Sequence, residues 1–142
     1  YKGSDGIERN TAFNTKYAAN LLAGKEFNLG KKGNVLYANI RLTSIGGRYF
    51  TPLDFVASQA RGQATYDNTR AFSEQQSAYF RADVKIGFRK EYKKSSMEFG
   101  VDFQNVTSHK NVFSQGYNKY NNTISYQYQQ GFFPVPMFRF TF

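Results

Sequence analysis

Residues 77–90 alternate without a break. Ala78, Phe80, Ala82, Val84, Ile86 and Phe88 hold the even positions, while Tyr79, Arg81, Asp83, Lys85 and Arg89 stand at odd ones. A period of two puts alternate side chains on opposite faces of a β-strand. At about 3.3 Å per residue this strand runs about 45 Å, against the five or six residues typical of strands in globular proteins. Tilted by about 45°, it would cross an apolar band of roughly 25 Å with length to spare.

Four further segments follow the same rule. Residues 17–29 carry Tyr17, Ala19, Leu21, Ala23, Phe27 and Leu29 opposite Asn20, Gly24, Glu26 and Asn28. Residues 35–45 set Leu36, Ala38, Ile40 and Leu42 against Tyr37, Asn39, Arg41 and Thr43, and residues 97–103 set Met97, Phe99, Val101 and Phe103 against Glu98, Gly100 and Asp102. The last strand begins at Phe132 or later, with Pro134 and Pro136 near its start, where lost ladder donors are tolerable. It ends in Phe138, Phe140 and Phe142 on one face, with Arg139 and Thr141 on the other. The expected fold is all-β, an antiparallel meander of about five long strands.

Connections alternate in length. Gly30-Lys31-Lys32-Gly33-Asn34 and Glu91-Tyr92-Lys93-Lys94-Ser95-Ser96 are short turns, whereas residues 50–76 and 108–130 form long links. Short turns on one rim and long loops on the other are the pattern of an outer-membrane barrel, whose short turns are periplasmic. Within the second link Ile124, Tyr126 and Tyr128 alternate with Ser125, Gln127 and Gln129, so part of it is expected to continue the barrel wall. About five strands cannot close, since bacterial barrels begin at roughly eight. The chain is therefore expected to be one segment, the C-terminal part of a larger barrel, with the outer edges of its first and last strands paired by neighbours.

Composition is compatible with this and excludes much else. There are 15 Phe and 11 Tyr, yet no run approaches the roughly 18 to 20 apolar residues of a spanning helix. Mean hydropathy is −0.62, as expected where only alternate residues meet lipid. The absence of cysteine rules out disulfides and thiolate metal sites. The chain starts at Tyr1 with no Met or signal segment, so it is expected to be a piece of something longer, and a missing leader says nothing against export. A formal charge of +9 raises nucleic acid or an anionic membrane as a partner. The cations are scattered in pairs such as Lys31-Lys32, Arg89-Lys90 and Lys93-Lys94 at turns and strand ends, and read as solvated caps.

Several stretches taken in order carry a resemblance: Asn20-Leu21-Leu22-Ala23-Gly24-Lys25-Glu26-Phe27, Gly46-Gly47-Arg48-Tyr49-Phe50-Thr51-Pro52, Tyr79-Phe80-Arg81-Ala82-Asp83, Asp102-Phe103-Gln104-Asn105-Val106-Thr107 through Asn111-Val112-Phe113, and the terminal Phe-Arg-Phe-Thr-Phe. Together they resemble the C-terminal barrel region of TonB-dependent outer-membrane receptors of the Bacteroidetes type with a carboxypeptidase-regulatory-like domain. The resemblance implies a roughly 22-stranded barrel closed by an N-terminal plug. It also implies import of a scarce metal chelate, glycan or peptide, driven by the TonB complex through an N-terminal part that this chain lacks. Implied partners are the rest of the barrel and its plug, the barrel-assembly machinery, outer-membrane lipid and, in some such receptors, a surface lipoprotein. Phe138, Phe140 and Phe142 would then form the signal read during assembly.

Chemistry of other kinds is poorly represented. The only histidine, His109, has no second His or Cys to complete a metal or nucleophile set, so neither enzyme activity, metal nor cofactor is expected. Arg41, Arg81, Asp83, Lys85 and Arg89 are expected to face the lumen, hydrated and paired across strands, or in contact with an anionic substrate or the plug. Arg61, Tyr66, Arg70, Tyr117 and Tyr120 in the long links are expected to meet sugars or peptides. Two alternatives stand beside this reading: an outer-membrane barrel enzyme, and a soluble basic β-protein binding single-stranded nucleic acid. The second needs aromatics beside the cations on one face, whereas in 77–90 the Phe residues lie opposite the charges.

Overall fold

The structure, a computed structural model, describes residues 1–30 and 33–142; the Lys31-Lys32 portion of the expected turn lies outside the described residues. In chain order the strands among the described residues are β1 (Ala18–Leu29), β2 (Asn34–Ile45), β3 (Tyr49–Phe50), β4 (Glu74–Gln75), β5 (Tyr79–Glu91), β6 (Ser96–Gln104), β7 (Val112–Asn118), β8 (Thr123–Tyr128) and β9 (Phe133–Thr141), with an α-helix, α1 (Phe55–Arg61), and a 3-10 turn at Asn68–Arg70. The chain is all-β, with antiparallel sheets. Among the described residues, no helix is long and apolar enough to cross a membrane. Two compact units divide it.

One unit comprises Ala19–Ser44, Phe80–His109 and Gln130–Phe142. Its strands form a five-stranded sheet in the order β1-β2-β5-β6-β9, leaving β1 and β9 as edges. The long alternating segment becomes β5, which starts at Tyr79, so Ser77 and Ala78 fall outside it. Register fixes the two faces. Across β5, β6 and β9 the rows Val84-Phe103-Pro134, Ile86-Val101-Pro136, Phe88-Phe99-Phe138 and Lys90-Met97-Phe140 lie on one face. On the other run Lys85-Asp102-Val135, Gly87-Gly100-Met137, Arg89-Glu98-Arg139 and Glu91-Ser96-Thr141. Pro134 and Pro136 sit near the start of an edge strand, where a missing N–H costs least.

Burial is opposite to that of a soluble sheet. The described apolar side chains that are buried are Val35, Tyr37 and Ala82, while Leu36, Ile40, Ile86, Phe99, Phe138 and Phe140 of the apolar face remain exposed. Ala82 has the apolar parity of β5, whereas Val35 and Tyr37 share the polar parity of β2 and Asp83 that of β5, so most of the tightly packed side chains lie on the charged face. Phe99 and Phe138, directly opposed, have ring centroids 4.8 Å apart.

The other unit comprises Tyr1–Ala18, Ile45–Tyr79 and Lys110–Gln129. Residues 50–76, expected as one long link, are built: α1 is capped by the Asp54 side chain accepting from the Ala57 N–H and is stopped by Gly62 in the left-handed region. Ser58, fully buried on α1, accepts from the Thr65 N–H at 2.9 Å and ties helix to loop. Gly46 and Gly47 admit close backbone neighbours: a Cβ there would lie 1.8 Å from the Thr15 carbonyl oxygen and 1.7 Å from that of Gln76. The segment around Ile124, Tyr126 and Tyr128 is indeed a strand, β8, but it pairs with β7 in a separate two-stranded sheet and does not extend the five-stranded one. Its hydrogen bonds are met locally by the hairpin.

Candidate functional site

The polar face of the five-stranded sheet gathers most of the charged residues singled out from sequence, and cross-strand spacing decides their partners. Asp83, 4% exposed, is the centre. Its Oδ2 accepts from Arg41 Nε at 3.0 Å and Nη2 at 2.6 Å, and its Oδ1 from Arg81 Nε at 2.7 Å and the Asn105 backbone N–H at 2.9 Å. Two guanidinium groups and an amide thus surround one carboxylate, which is what a buried charge requires. Arg89 lies 3.1 Å from Glu91 and 3.4 Å from Glu26, and Arg139 lies 3.6 Å from Glu98.

Lys85 takes a different course. Its Nζ lies 3.4 Å from Met137 Sδ and 5.7 Å from the Tyr37 ring centroid, although its register partner is Asp102. A cleft of about 440 Å³ on this face is lined by Leu22, Asn39, Arg41, Asp83, Lys85 and Asp102, among others. With charges of both signs interleaved, the face offers no single-sign field to capture an anion.

Sequence reading missed two parts of this site. Tyr37, 4% exposed, lays its ring over Gly87 and Gly100, directly opposed in the β5–β6 ladder, and donates its hydroxyl to Glu98 at 2.5 Å. Asn105, 2% exposed with a positive φ of 48°, closes the end of β6. Its Nδ2 donates to the carbonyls of His109 and Gln130, while its Oδ1 accepts from the His109 N–H. An Asn with Thr two residues on, ending a strand, was the available signal for such a turn. Asn105→Ala is expected to cost about 2 kcal/mol, since it strands partly buried backbone groups and removes a residue suited to left-handed φ. Denaturant midpoints against wild type would measure this, and a loss below about 0.5 kcal/mol would contradict it. His109 is an exposed loop residue with its ring edge-on to Phe80, and no group of described residues could hold a metal ion.

The five residues expected to meet ligand in the long links are dispersed. Tyr66 lines a cleft of about 560 Å³ with Arg48, Tyr49, Phe50, Phe72 and Gln115. Arg61 is exposed at the end of α1, and Tyr120 is 88% exposed. Arg70 is engaged with Glu74 at 2.7 Å, and Tyr117 donates to Asn122 at 2.6 Å and packs edge-on against Phe55. These four are not drawn into the Tyr66 cleft. Beside that cleft the Thr69 hydroxyl donates to Asp67 at 2.5 Å and holds its carboxyl below the usual range. Whatever stability this lends is present at neutral pH and lost as pH falls through the depressed value.

Of the terminal aromatics, Phe138 and Phe140 stand on the open apolar face and Phe142 is 98% exposed, its ring 6.2 Å from that of Phe140. No family model, curated protein or solved structure matches the chain. What the two faces do must be read from their own geometry.

Proposed function

We propose that this chain is the C-terminal part of a roughly 22-stranded outer-membrane barrel, a TonB-dependent receptor that imports a bulky nutrient and performs no catalysis itself. The observation that carries this reading is the inverted sheet: charged residues are paired and partly buried on one face while large apolar side chains stand open on the other. In water such an apolar face is unfavourable at roughly 25 cal/mol per Å², and soluble monomers rarely expose one of this kind. In a bilayer it is the stable arrangement, with the polar face turned to a hydrated lumen. The two edges support the same reading, because β1 and β9 present ladder groups that further strands of one barrel would satisfy.

In this setting Arg41, Arg81, Asp83, Lys85 and Arg89 line the lumen wall, where the plug would meet a surface of mixed charge. The long links carry Tyr66 and its cleft toward the cell exterior, where substrate and any lipoprotein partner would dock. Lys25 and Lys90 interrupt the apolar columns, and their aliphatic stems let the ammonium groups reach the headgroup level. A single-stranded nucleic-acid reading is disfavoured because the open aromatic rings and the guanidinium groups occupy opposite faces.

Single cysteines test the reading in the full-length membrane-inserted protein. Those replacing Leu36, Ile86 and Phe99 should respond to a probe dissolved in the lipid phase, and those replacing Asn39, Lys85 and Asp102 to a water-soluble maleimide. Equal reaction of both sets with the aqueous reagent would sink the barrel assignment.

A further inference from the structure

The apolar face of the sheet does not end in an apolar residue. Its last row toward the short β5–β6 turn is Lys90-Met97-Phe140, so a lysine occupies the lipid-facing column where the hydrophobic run stops. The Lys90 ammonium lies 5.1 Å from the ring centroid of Tyr92, and Lys93 and Lys94 follow at the exposed tip of the turn. That turn is held by the Tyr92 N–H donating to the Ser95 carbonyl at 2.8 Å. None of the three lysines makes an ion pair among the described residues. The one adjacent carboxylate, Glu91, has the opposite parity and is engaged by Arg89 at 3.1 Å. Exposed Tyr92 and Phe140 border the cations, giving a surface that is apolar on its membrane side and cationic at its margin.

Resting on the barrel reading, we infer that Lys90, Lys93 and Lys94 form a binding site for the phosphate headgroup of an anionic glycerophospholipid, with Met97 and Phe140 against its acyl chains. Short turns lie on the periplasmic rim, so the lipid belongs to the inner leaflet. Surface lysines attract anionic headgroups, and because the adjacent carboxylate of Glu91 is engaged by Arg89, that attraction stays available. The aromatic rings anchor at the same depth and hold the site at the interface.

The full-length protein would be equilibrated in detergent micelles holding equal amounts of phosphatidylglycerol and phosphatidylcholine, and the lipid it retains quantified by mass spectrometry. Wild type should retain phosphatidylglycerol preferentially, and each lysine replaced by glutamine should reduce that preference by roughly fivefold. The triple variant Lys90→Gln/Lys93→Gln/Lys94→Gln should show almost none, whereas Lys110→Gln/Lys119→Gln in the long link should match wild type. Excess inorganic phosphate should leave the retained lipid unchanged; displacement by it would mark a plain anion site and overturn the lipid assignment. So would equal retention of both lipids by wild type, or an undiminished preference in the triple variant. Failure of wild type to insert into vesicles of any composition would instead overturn the barrel reading and this site with it.

Discussion

Replacing Asp83 with alanine is expected to lower the unfolding free energy by about 3–5 kcal/mol, the usual cost of removing one partner from a buried ion pair. The carboxylate is 4% exposed and serves four donors at once: two nitrogens of Arg41, Nε of Arg81 and the Asn105 backbone amide. Alanine leaves all of them without that acceptor. The Arg41 side chain is 48% exposed and that of Arg81 29%, so water can recover part of the loss at Arg41 and less at Arg81. The amide at Asn105 has no such recourse, because its residue is buried. Asp83→Asn retains one oxygen for that amide while losing the charge, and should fall between wild type and alanine. Arg41→Met should cost about 1 kcal/mol, as befits a half-exposed pair whose aliphatic stem is largely replaced. Denaturant midpoints of the detergent-solubilised protein would decide it, and an Asp83→Ala loss below about 1 kcal/mol would remove the centre of the site.

How much of this was legible in sequence depends on what each feature needs. β5 was legible because its faces differ in polarity at nearly every position; its start moves to Tyr79, where Ser77-Ala78 carries little contrast, and its end moves one residue on to Glu91. β7 was not. Val112-Phe113-Ser114 contains an irregularity in pairing that breaks the period, and Gly116 adds no signal. The cap and stop of α1, Asp54 and Gly62, stand in the sequence, but seven residues are too few for a helical period to show against an aromatic-rich loop. Charges on the polar face could be named, yet their pairing could not, since Arg41 and Asp83 are 42 residues apart and meet only once strand order is fixed. The dispersal of Arg61, Arg70, Tyr117 and Tyr120 has the same origin. Composition places such residues in loops, while local turns and hairpins decide which way each points.

Within the five-stranded sheet the largest single-methyl effect should occur at Gly87. A Cβ built there would lie 2.2 Å from Tyr37 Oη and 2.3 Å from its Cζ, so Gly87→Ala must expel the ring. A tyrosine ring cannot bend away as a lysine tip can, and its displacement forfeits both the hydroxyl bond to Glu98 and the contact beneath Lys85. Overpacking of this kind costs about 1–3 kcal/mol, and lost burial of an aromatic side chain adds roughly 1.5–3 kcal/mol, so a total of about 3 kcal/mol or more is expected. At Gly100 the nearest atoms are Tyr37 Oη at 3.0 Å and the Ile86 carbonyl oxygen at 3.1 Å, which a small shift relieves. Gly100→Ala should therefore cost only about 1 kcal/mol. The decisive experiment is the cycle through Tyr37→Ala, which removes the ring before the methyl arrives. If the glycine exists to admit the ring, Gly87→Ala should be nearly harmless in that background, and the coupling should exceed about 1 kcal/mol. Strictly additive losses would mean that Gly87 is required by the backbone, and the ring would have to be regarded as filling space that the strands left open for another reason.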